Sequence, residues 1–151
     1  MKTPCPRGLT LIEMLVAALL AALLLGVALP AWQQQVLRLR RSDALVALAR
    51  IEQAQSRWRS THPRFARSLG ADELALSTIS PEGYYRLSLA TDGPDPAQGY
   101  RAVAQATGAQ QQDQRCAWMA LEWSDGELRQ RSGPDTRLDN ALADNRSCWR
   151  S

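Results

Sequence analysis

The fold is decided by the sequence GLTLIE at residues 8–13, which opens an apolar run that ends at Pro30. Between Leu9 and Leu29 the only ionisable side chain is that of Glu13. A helix of about 20 apolar residues is long enough to cross the hydrocarbon core of a membrane. The sequence therefore predicts a membrane-length helix with one carboxylate near its N-terminal end.

Two hypotheses explain Glu13, because a carboxylate in such a run needs a local hydrogen-bond donor or a cation. In the first, the Thr-x-x-Glu spacing of Thr10 and Glu13 forms a capping box with a free backbone N–H at the start of the helix. In the second, the short basic segment 1–8 is a leader that is removed after Gly8. Cleavage would give Leu9 a new α-amine, and a neighbouring copy of the chain could offer that cation to Glu13.

At these residues the sequence resembles the type IV prepilins, whose signature is a short basic leader, a glycine at the cut, a Phe-Thr-Leu-Ile-Glu-like start and a long apolar helix. Pro30 and Trp32 stand where that family often has Pro and Tyr. The resemblance implies cleavage between Gly8 and Leu9 and N-methylation of Leu9 by a prepilin peptidase. It also implies an assembly charge pair between Glu13 and the Leu9 α-amine of a neighbour. Leu9 in place of the usual Phe is more common in minor pilins and pseudopilins. The C-terminal part, with a strand, a cysteine, an Asp-Gly hairpin and a Cys-Trp ending, is most like the PilE-type minor pilins.

An ordinary secretory signal peptide, cut near Gly26 or Ala28, is the alternative for this segment. Glu13 and the length of the apolar run argue against it. Under the positive-inside rule, the basic leader favours a cytoplasmic N-terminus. Arg38 and its basic neighbours, which follow the helix, favour the opposite orientation. The cysteines favour an exported C-terminal part.

Three cysteines are present, and Cys5 would leave with the leader, so that Cys116 and Cys148 remain. An even pair in an exported chain predicts a disulfide, which would close a loop of about 33 residues and stabilise the fold by roughly 3 to 4 kcal/mol. Two separate buried thiols are the alternative. A zinc site is not expected, because these two cysteines and the lone His62 do not supply a set of ligands.

Residues 31–61 have the pattern of an amphipathic helix. The residues that recur at three- and four-residue steps are Val36 or Leu37, Ala44, Leu48, Ile51, Gln55 and Trp58, and most arginines, Arg41 among them, are expected on other faces. Pro30 would loosen the helix without ending it. We expect the end near Ser60 or Thr61, because Pro63 moves the residue before it out of helical angles.

The remaining sequence predicts a connecting loop over residues 62–83, which allows one helical turn at 72–76, and an antiparallel sheet over residues 84–132. The predicted strands are 84–90, 100–107, 116–123 and 128–132, joined by turn sequences at 92–96 and 124–127 and by a polar loop at 110–114. Residues 133–151 form an irregular loop that a Cys116–Cys148 bond would fix in place. The fold class is α+β, with the long helix on a four-stranded sheet, and Trp58, Trp118 and Trp123 are interpreted as core aromatics.

Removal of Lys2 and Arg7 lowers the net charge from +3 to +1, because 16 arginines then face 15 acidic residues. That is not the charge of a dedicated nucleic-acid-binding protein. Seven arginines could nevertheless form a basic strip on the sheet and tail: Arg86, Arg101, Arg129, Arg131, Arg137, Arg146 and Arg150. The competing interpretation is that they are simply part of a solvated surface.

No catalytic set or nucleotide-binding motif is present in the sequence, so we expect neither enzyme activity nor a cofactor or metal. The resemblance implies a structural subunit, a minor pilin that enters or primes a type IV pilus for adhesion and twitching motility. Its partners would be other pilin subunits, the prepilin peptidase and the pilus assembly platform. The implied location is the inner membrane, single-pass with a periplasmic C-terminal domain, and then the extracellular pilus. A type II secretion pseudopilin and a DNA-binding pilin for natural transformation are the alternatives.

Overall fold

A computed structural model describes residues 10–90 and 93–150, with Val27 described by its backbone alone. Cys5, Gly8 and Leu9, and with them the predicted leader and cleavage site, lie outside the described residues. The elements in chain order are α1 (Leu11–Arg59), β1 (Tyr85–Leu89), β2 (Tyr100–Ala106), two 3-10 helices (Gly108–Gln112 and Gln114–Cys116), β3 (Trp118–Ser124), β4 (Glu127–Gly133) and α2 (Leu142–Trp149). This order confirms the predicted α+β class.

The chain divides into two compact units between Gln35 and Val36. In the first unit, α1 is long and apolar enough to cross a membrane, and the side chains of its apolar stretch are exposed. The helix continues through Pro30. Because apolar side chains without protein partners are unfavourable in water, this stretch requires lipid or other helices around it.

In the second unit, one face of α1 belongs to the main core. Its central side chains Ala44, Leu48 and Ile51 are almost fully buried, as the three- and four-residue spacing predicted. The helix ends at Arg59, and the backbone N–H groups of the next turn, from Thr61 and His62, donate to the Trp58 carbonyl over 3.1 and 3.0 Å. Pro63 then prevents further helix.

The sheet is a simple antiparallel meander in the order β1-β2-β3-β4. β2 contributes three alanines, Ala102, Ala104 and Ala106, to the same core as α1. Small side chains at these positions allow a sheet and a helix to approach closely. The β3–β4 turn has positive φ at Asp125 (54°) and Gly126 (79°), the geometry that a two-residue hairpin loop requires.

The prediction for Arg41 was wrong, because this arginine is only 7% exposed. Its Nε and Nη2 donate to the two carboxylate oxygens of Asp113 over 2.6 and 2.8 Å, and its Nη1 donates to the Ser147 carbonyl over 3.0 Å. A bidentate carboxylate satisfies the guanidinium away from water. Periodicity places a charged residue on a polar face and does not reveal a partner 72 residues away in sequence.

The predicted disulfide is present: Cys116 and Cys148 are bonded, with their Cα atoms 5.6 Å apart, and both are fully buried. Two local predictions need correction. Cys116 ends a 3-10 helix and does not begin β3, and the C-terminal segment contains the helix α2, which we expected to be irregular. α2 has no side-chain cap and a weak apolar pattern, so the disulfide and contacts such as Arg41 to Ser147 hold it in place.

The predicted helical turn at 72–76 is a hydrogen-bonded turn at 71–74, and the polar loop at 110–114 is largely 3-10 helix. Gln110 explains the second difference. Its side-chain amide is buried and donates to the Leu37 carbonyl over 3.1 Å and to the Tyr85 hydroxyl over 3.0 Å. A polar sequence can therefore be part of the core when its donors have partners, and Gln110 Oε1 is the buried atom that accepts no hydrogen bond from the described residues.

The Tyr85 hydroxyl predicts how stability depends on alkaline pH. Burial is the main cause that raises the pKa of Tyr85 from 10.0 to about 12. The folded chain therefore keeps a proton on Tyr85 that the unfolded chain loses above pH 10. The stabilisation from this proton is fully present below pH 10 and is lost as the pH rises towards 12. We expect the free energy of unfolding to fall in this window by up to about 1.4 kcal/mol per pH unit for each such tyrosine.

Denaturant titrations on both sides of pH 10 measure this loss. Burial also raises the pKa of Tyr100, so Tyr85→Phe should make the decline shallower without abolishing it. An unchanged decline in Tyr85→Phe would show that Tyr85 does not contribute to it.

Candidate functional site

The N-terminal end of α1 carries the predicted assembly site. The Glu13 backbone N–H donates to Thr10 Oγ1 over 3.3 Å, and the Thr10 N–H donates to Glu13 Oε2 over 3.5 Å. This is the reciprocal pattern of a capping box, so the local interpretation of Glu13 has its geometry in the structure. Both bonds are long and the residues are exposed, which leaves the carboxylate accessible to a second partner.

Four of the seven predicted strip arginines lie on one face of the sheet, the face turned away from α1. Arg86 and Arg101 alternate along β1 and β2 with residues of the main core. Arg129 and Arg131 of β4 lie opposite Glu122 and Ala120 of β3, which share the face of Arg101. The same face carries Glu122 of β3, which lies opposite Arg101 on β2 and opposite Arg129 on β4. Glu122 Oε2 is 2.6 Å from Arg101 Nε.

Carboxylates neutralise much of the predicted strip. Arg129 pairs with Glu127 over 3.0 Å, and Arg137 pairs with Asp135 over 2.8 Å and with Asp139 over 3.7 Å. Hydrogen bonds from Arg137 hold the pKa of Asp135 below its usual value, so this pair is fully ionised at neutral pH. Of the seven arginines, only four have no carboxylate partner among the described residues: Arg86, Arg131, Arg146 and Arg150.

A second basic surface, which we did not predict, lies at the C-terminal end of α1 and in the loop that follows it. We call its members the helix-end arginines: Arg57, Arg59, Arg64 and Arg67. All four are exposed, and within residues 10–90 and 93–150 none of them pairs with a carboxylate. The sequence does contain a signal for this surface, because no acidic residue occurs between Glu52 and Asp72.

Buried hydrogen bonds position this loop. The Gln55 side-chain amide donates to the Ala66 carbonyl and accepts from the Ala66 N–H, each over 2.9 Å. The Phe65 N–H donates to the Pro96 carbonyl over 2.8 Å, and the Phe65 and Tyr100 rings lie 5.2 Å apart. The loop after α1 is therefore folded back against the last turns of the helix.

The backbone on the far side of Ala66 is fixed as well. The Glu73 carboxylate accepts hydrogen bonds from the N–H groups of Arg67 and Ser68, the first over 2.6 Å. The Glu73 carboxylate thus accepts hydrogen bonds from backbone N–H groups and does not pair with the Arg67 guanidinium. A fixed backbone with guanidinium groups that no described carboxylate neutralises is suited to binding phosphate, because each Arg offers several donors in a planar fork.

Aromatic rings accompany these arginines. The Trp58 and His62 rings are stacked, with their centroids 3.7 Å apart and their planes 2° apart. Arg59 lies over the Phe65 ring at 5.6 Å, and its Nη1 donates to the His62 carbonyl over 3.0 Å. The interpretation of the tryptophans as core residues holds for Trp123, which packs against the main core, whereas Trp58 belongs to neither core cluster.

A membrane-length N-terminal helix whose C-terminal half packs on an antiparallel meander, followed by a disulfide-closed C-terminal segment, defines a type IV pilin. Two family models agree with this class. The model described as "Prokaryotic N-terminal methylation motif" matches residues 5–29, and the model described as "Type IV minor pilin ComP, DNA uptake sequence receptor" matches residues 30–120. The second match covers 91 of the 151 residues, so the chain belongs to the family of ComP minor pilins. No curated protein sequence matches the chain significantly.

This membership makes the chain a minor type IV pilin, and it confirms the prediction of a minor pilin. It associates the chain with membrane anchoring and with assembly into a pilus. The helix-end arginines, from Arg57 to Arg67, lie inside the segment that the ComP model matches. The predicted strip lies partly outside that segment, since its last five arginines follow residue 120.

Proposed function

We propose that this minor pilin binds duplex DNA through the helix-end arginines and thereby brings DNA to the pilus for uptake. The observation that carries the proposal is their exposed charge, which no carboxylate of the described residues neutralises, in a family whose model is described as a DNA uptake sequence receptor. Duplex DNA carries one negative charge per about 1.7 Å of its axis, and arginines that neutralise phosphates release counterions. This role needs no enzyme activity, cofactor or metal.

Local charge explains how a chain of net charge +1 binds a polyanion. The residues between Glu52 and Asp72 contribute four positive charges and no negative charge. At physiological ionic strength the Debye length is about 8 Å, so distant carboxylates are screened and the nearby charges determine the attraction.

For the N-terminal part we propose the path that the prepilin motif implies. A prepilin peptidase cuts between Gly8 and Leu9 and methylates Leu9, after which α1 anchors the chain as a single-pass protein of the inner membrane with its C-terminal domain in the periplasm. Glu13 then pairs with the Leu9 α-amine of a neighbouring pilin at the assembly platform. The ComP match favours a pilus subunit over a type II secretion pseudopilin.

The DNA-binding proposal is tested with two variants of equal net charge. The first changes the helix-end arginines to glutamine, at Arg57, Arg59, Arg64 and Arg67. The second, the matched control, changes four exposed arginines that likewise have no carboxylate partner in the described part of the chain, at Arg86, Arg131, Arg146 and Arg150. Duplex binding by the full processed chain in nanodiscs of neutral lipid is measured over a range of salt concentrations.

We expect the helix-end variant to lose about tenfold or more in affinity and to have a salt dependence, in log K against log salt, shallower by up to about 3.6. The control variant should bind nearly as wild type does, and thermal melting checks that both are folded. The opposite ranking of the two variants would move the DNA site to the sheet and tail.

Glu13→Gln separates the two hypotheses for Glu13, because glutamine keeps the capping-box hydrogen bond and removes the charge. We expect Glu13→Gln and Glu13→Ala to insert in the membrane and to be processed to a methylated N-terminus at Leu9, as mass spectrometry will show. Both should enter filaments poorly, measured by immunoblot of sheared pili. If Glu13→Gln enters filaments as well as the wild-type chain does, the charge-pair hypothesis is wrong and the capping box is the role of Glu13 that remains.

A further inference from the structure

The stacked pair of Trp58 and His62 is held rigidly at the end of α1. The His62 backbone N–H donates to the Trp58 carbonyl over 3.0 Å, and His62 Nδ1 lies 3.1 Å from the same oxygen and 2.9 Å from Thr61 Oγ1. Trp58 is half-buried and His62 is exposed. The pair is therefore a preformed aromatic platform of which the imidazole is the solvent-exposed layer.

Positive charge surrounds this platform. Arg57 and Arg59 flank Trp58 in sequence, Arg64 follows His62 by two residues, and Arg59 donates to the His62 carbonyl. A DNA strand whose phosphates contact these arginines would bring its bases next to the exposed imidazole. Every nucleobase has a flat face that stacks on an aromatic ring, and single-stranded DNA is held by this combination of charge and stacking.

We propose that the Trp58–His62 platform binds an unpaired nucleobase, which adds a third layer to the stack. The proposal rests on the proposed function, since the helix-end arginines hold the DNA on which that base lies. The base is unpaired because the interior base pairs of a duplex already stack on each other. It comes from a single-stranded segment or from the frayed end of a linear duplex.

A purely structural role is the competing explanation, because the stack also closes the end of α1. The two roles differ in which DNA they affect. Loss of a base-binding platform weakens the binding of DNA that offers an unpaired base, whereas loss of a structural contact weakens the binding of every form of DNA to the same degree.

The experiment compares three forms of DNA: a short single strand, a blunt linear duplex and a relaxed closed circular duplex. The full processed chain in neutral nanodiscs carries Trp58→Leu, which removes the aromatic face and keeps apolar volume, or Trp58→Phe, which keeps a ring. Trp32→Leu is the control, because Trp32 is an exposed tryptophan of α1 outside the Trp58–His62 platform. His62→Leu serves as a second variant at an exposed position should Trp58→Leu melt early.

We expect Trp58→Leu and His62→Leu to weaken single-strand binding by about 5- to 150-fold, the range that corresponds to loss of one stacked base. Binding of the closed circle should be unchanged, Trp58→Phe should retain most of the single-strand affinity, and Trp32→Leu should behave as wild type. An equal loss with the linear duplex would identify the frayed end as a source of the base. An unaffected linear duplex would identify single-stranded DNA as the only source.

Wild-type single-strand binding by both Leu variants, or an equal loss for the single strand and the closed circle, would overturn the base-binding proposal and leave the proposed function in place. A wild-type chain that binds none of the three forms would overturn both.

Discussion

Arg41, Asp43 and Gln55 are polar, yet each is buried on the face of α1 that meets the rest of the domain. A buried polar group without a partner costs about 1 to 3 kcal/mol, and more when it is charged. Each of these side chains must therefore have a partner, and the partners lie in the loop between α1 and β1, next to the 3-10 helices and in α2. The hydrogen bonds of α1 thus determine where those segments lie.

The loop between α1 and β1 shows the consequence at both of its ends. Gln55 holds the beginning of the loop through Ala66, while Asp43 accepts from the Ser80 hydroxyl over 2.5 Å and from the Glu82 N–H over 3.0 Å. Arg41 fixes the position of the C-terminal part through its hydrogen bonds to Asp113 and Ser147. One helix therefore positions both the basic surface and the disulfide-closed segment.

Periodicity predicted the elements that hydrophobic burial dictates. α1, the four strands and the use of alanines on β2 follow from which residues must leave water, and the cysteine pair followed from the predicted removal of Cys5 with the leader. Sequence patterns did not predict α2, the 3-10 helices or the burial of Arg41. Those features depend on specific partners distant in sequence, which one-dimensional patterns do not contain.

The basic surface was missed for a different reason. Net charge sums over the chain, and the predicted strip was assembled from arginines without their cross-strand partners, such as Glu122 opposite Arg101. Screening makes the local balance decisive. The informative signal was the stretch between Glu52 and Asp72, where arginines occur without any acidic residue.

Arginine modification with phenylglyoxal, read by mass spectrometry on the full processed chain with and without duplex DNA, tests the central claim most directly. The account predicts that DNA protects Arg57, Arg59, Arg64 and Arg67 and leaves Arg86, Arg131, Arg146 and Arg150 reactive. Protection of the sheet and tail arginines, with the end of α1 still reactive, would contradict it.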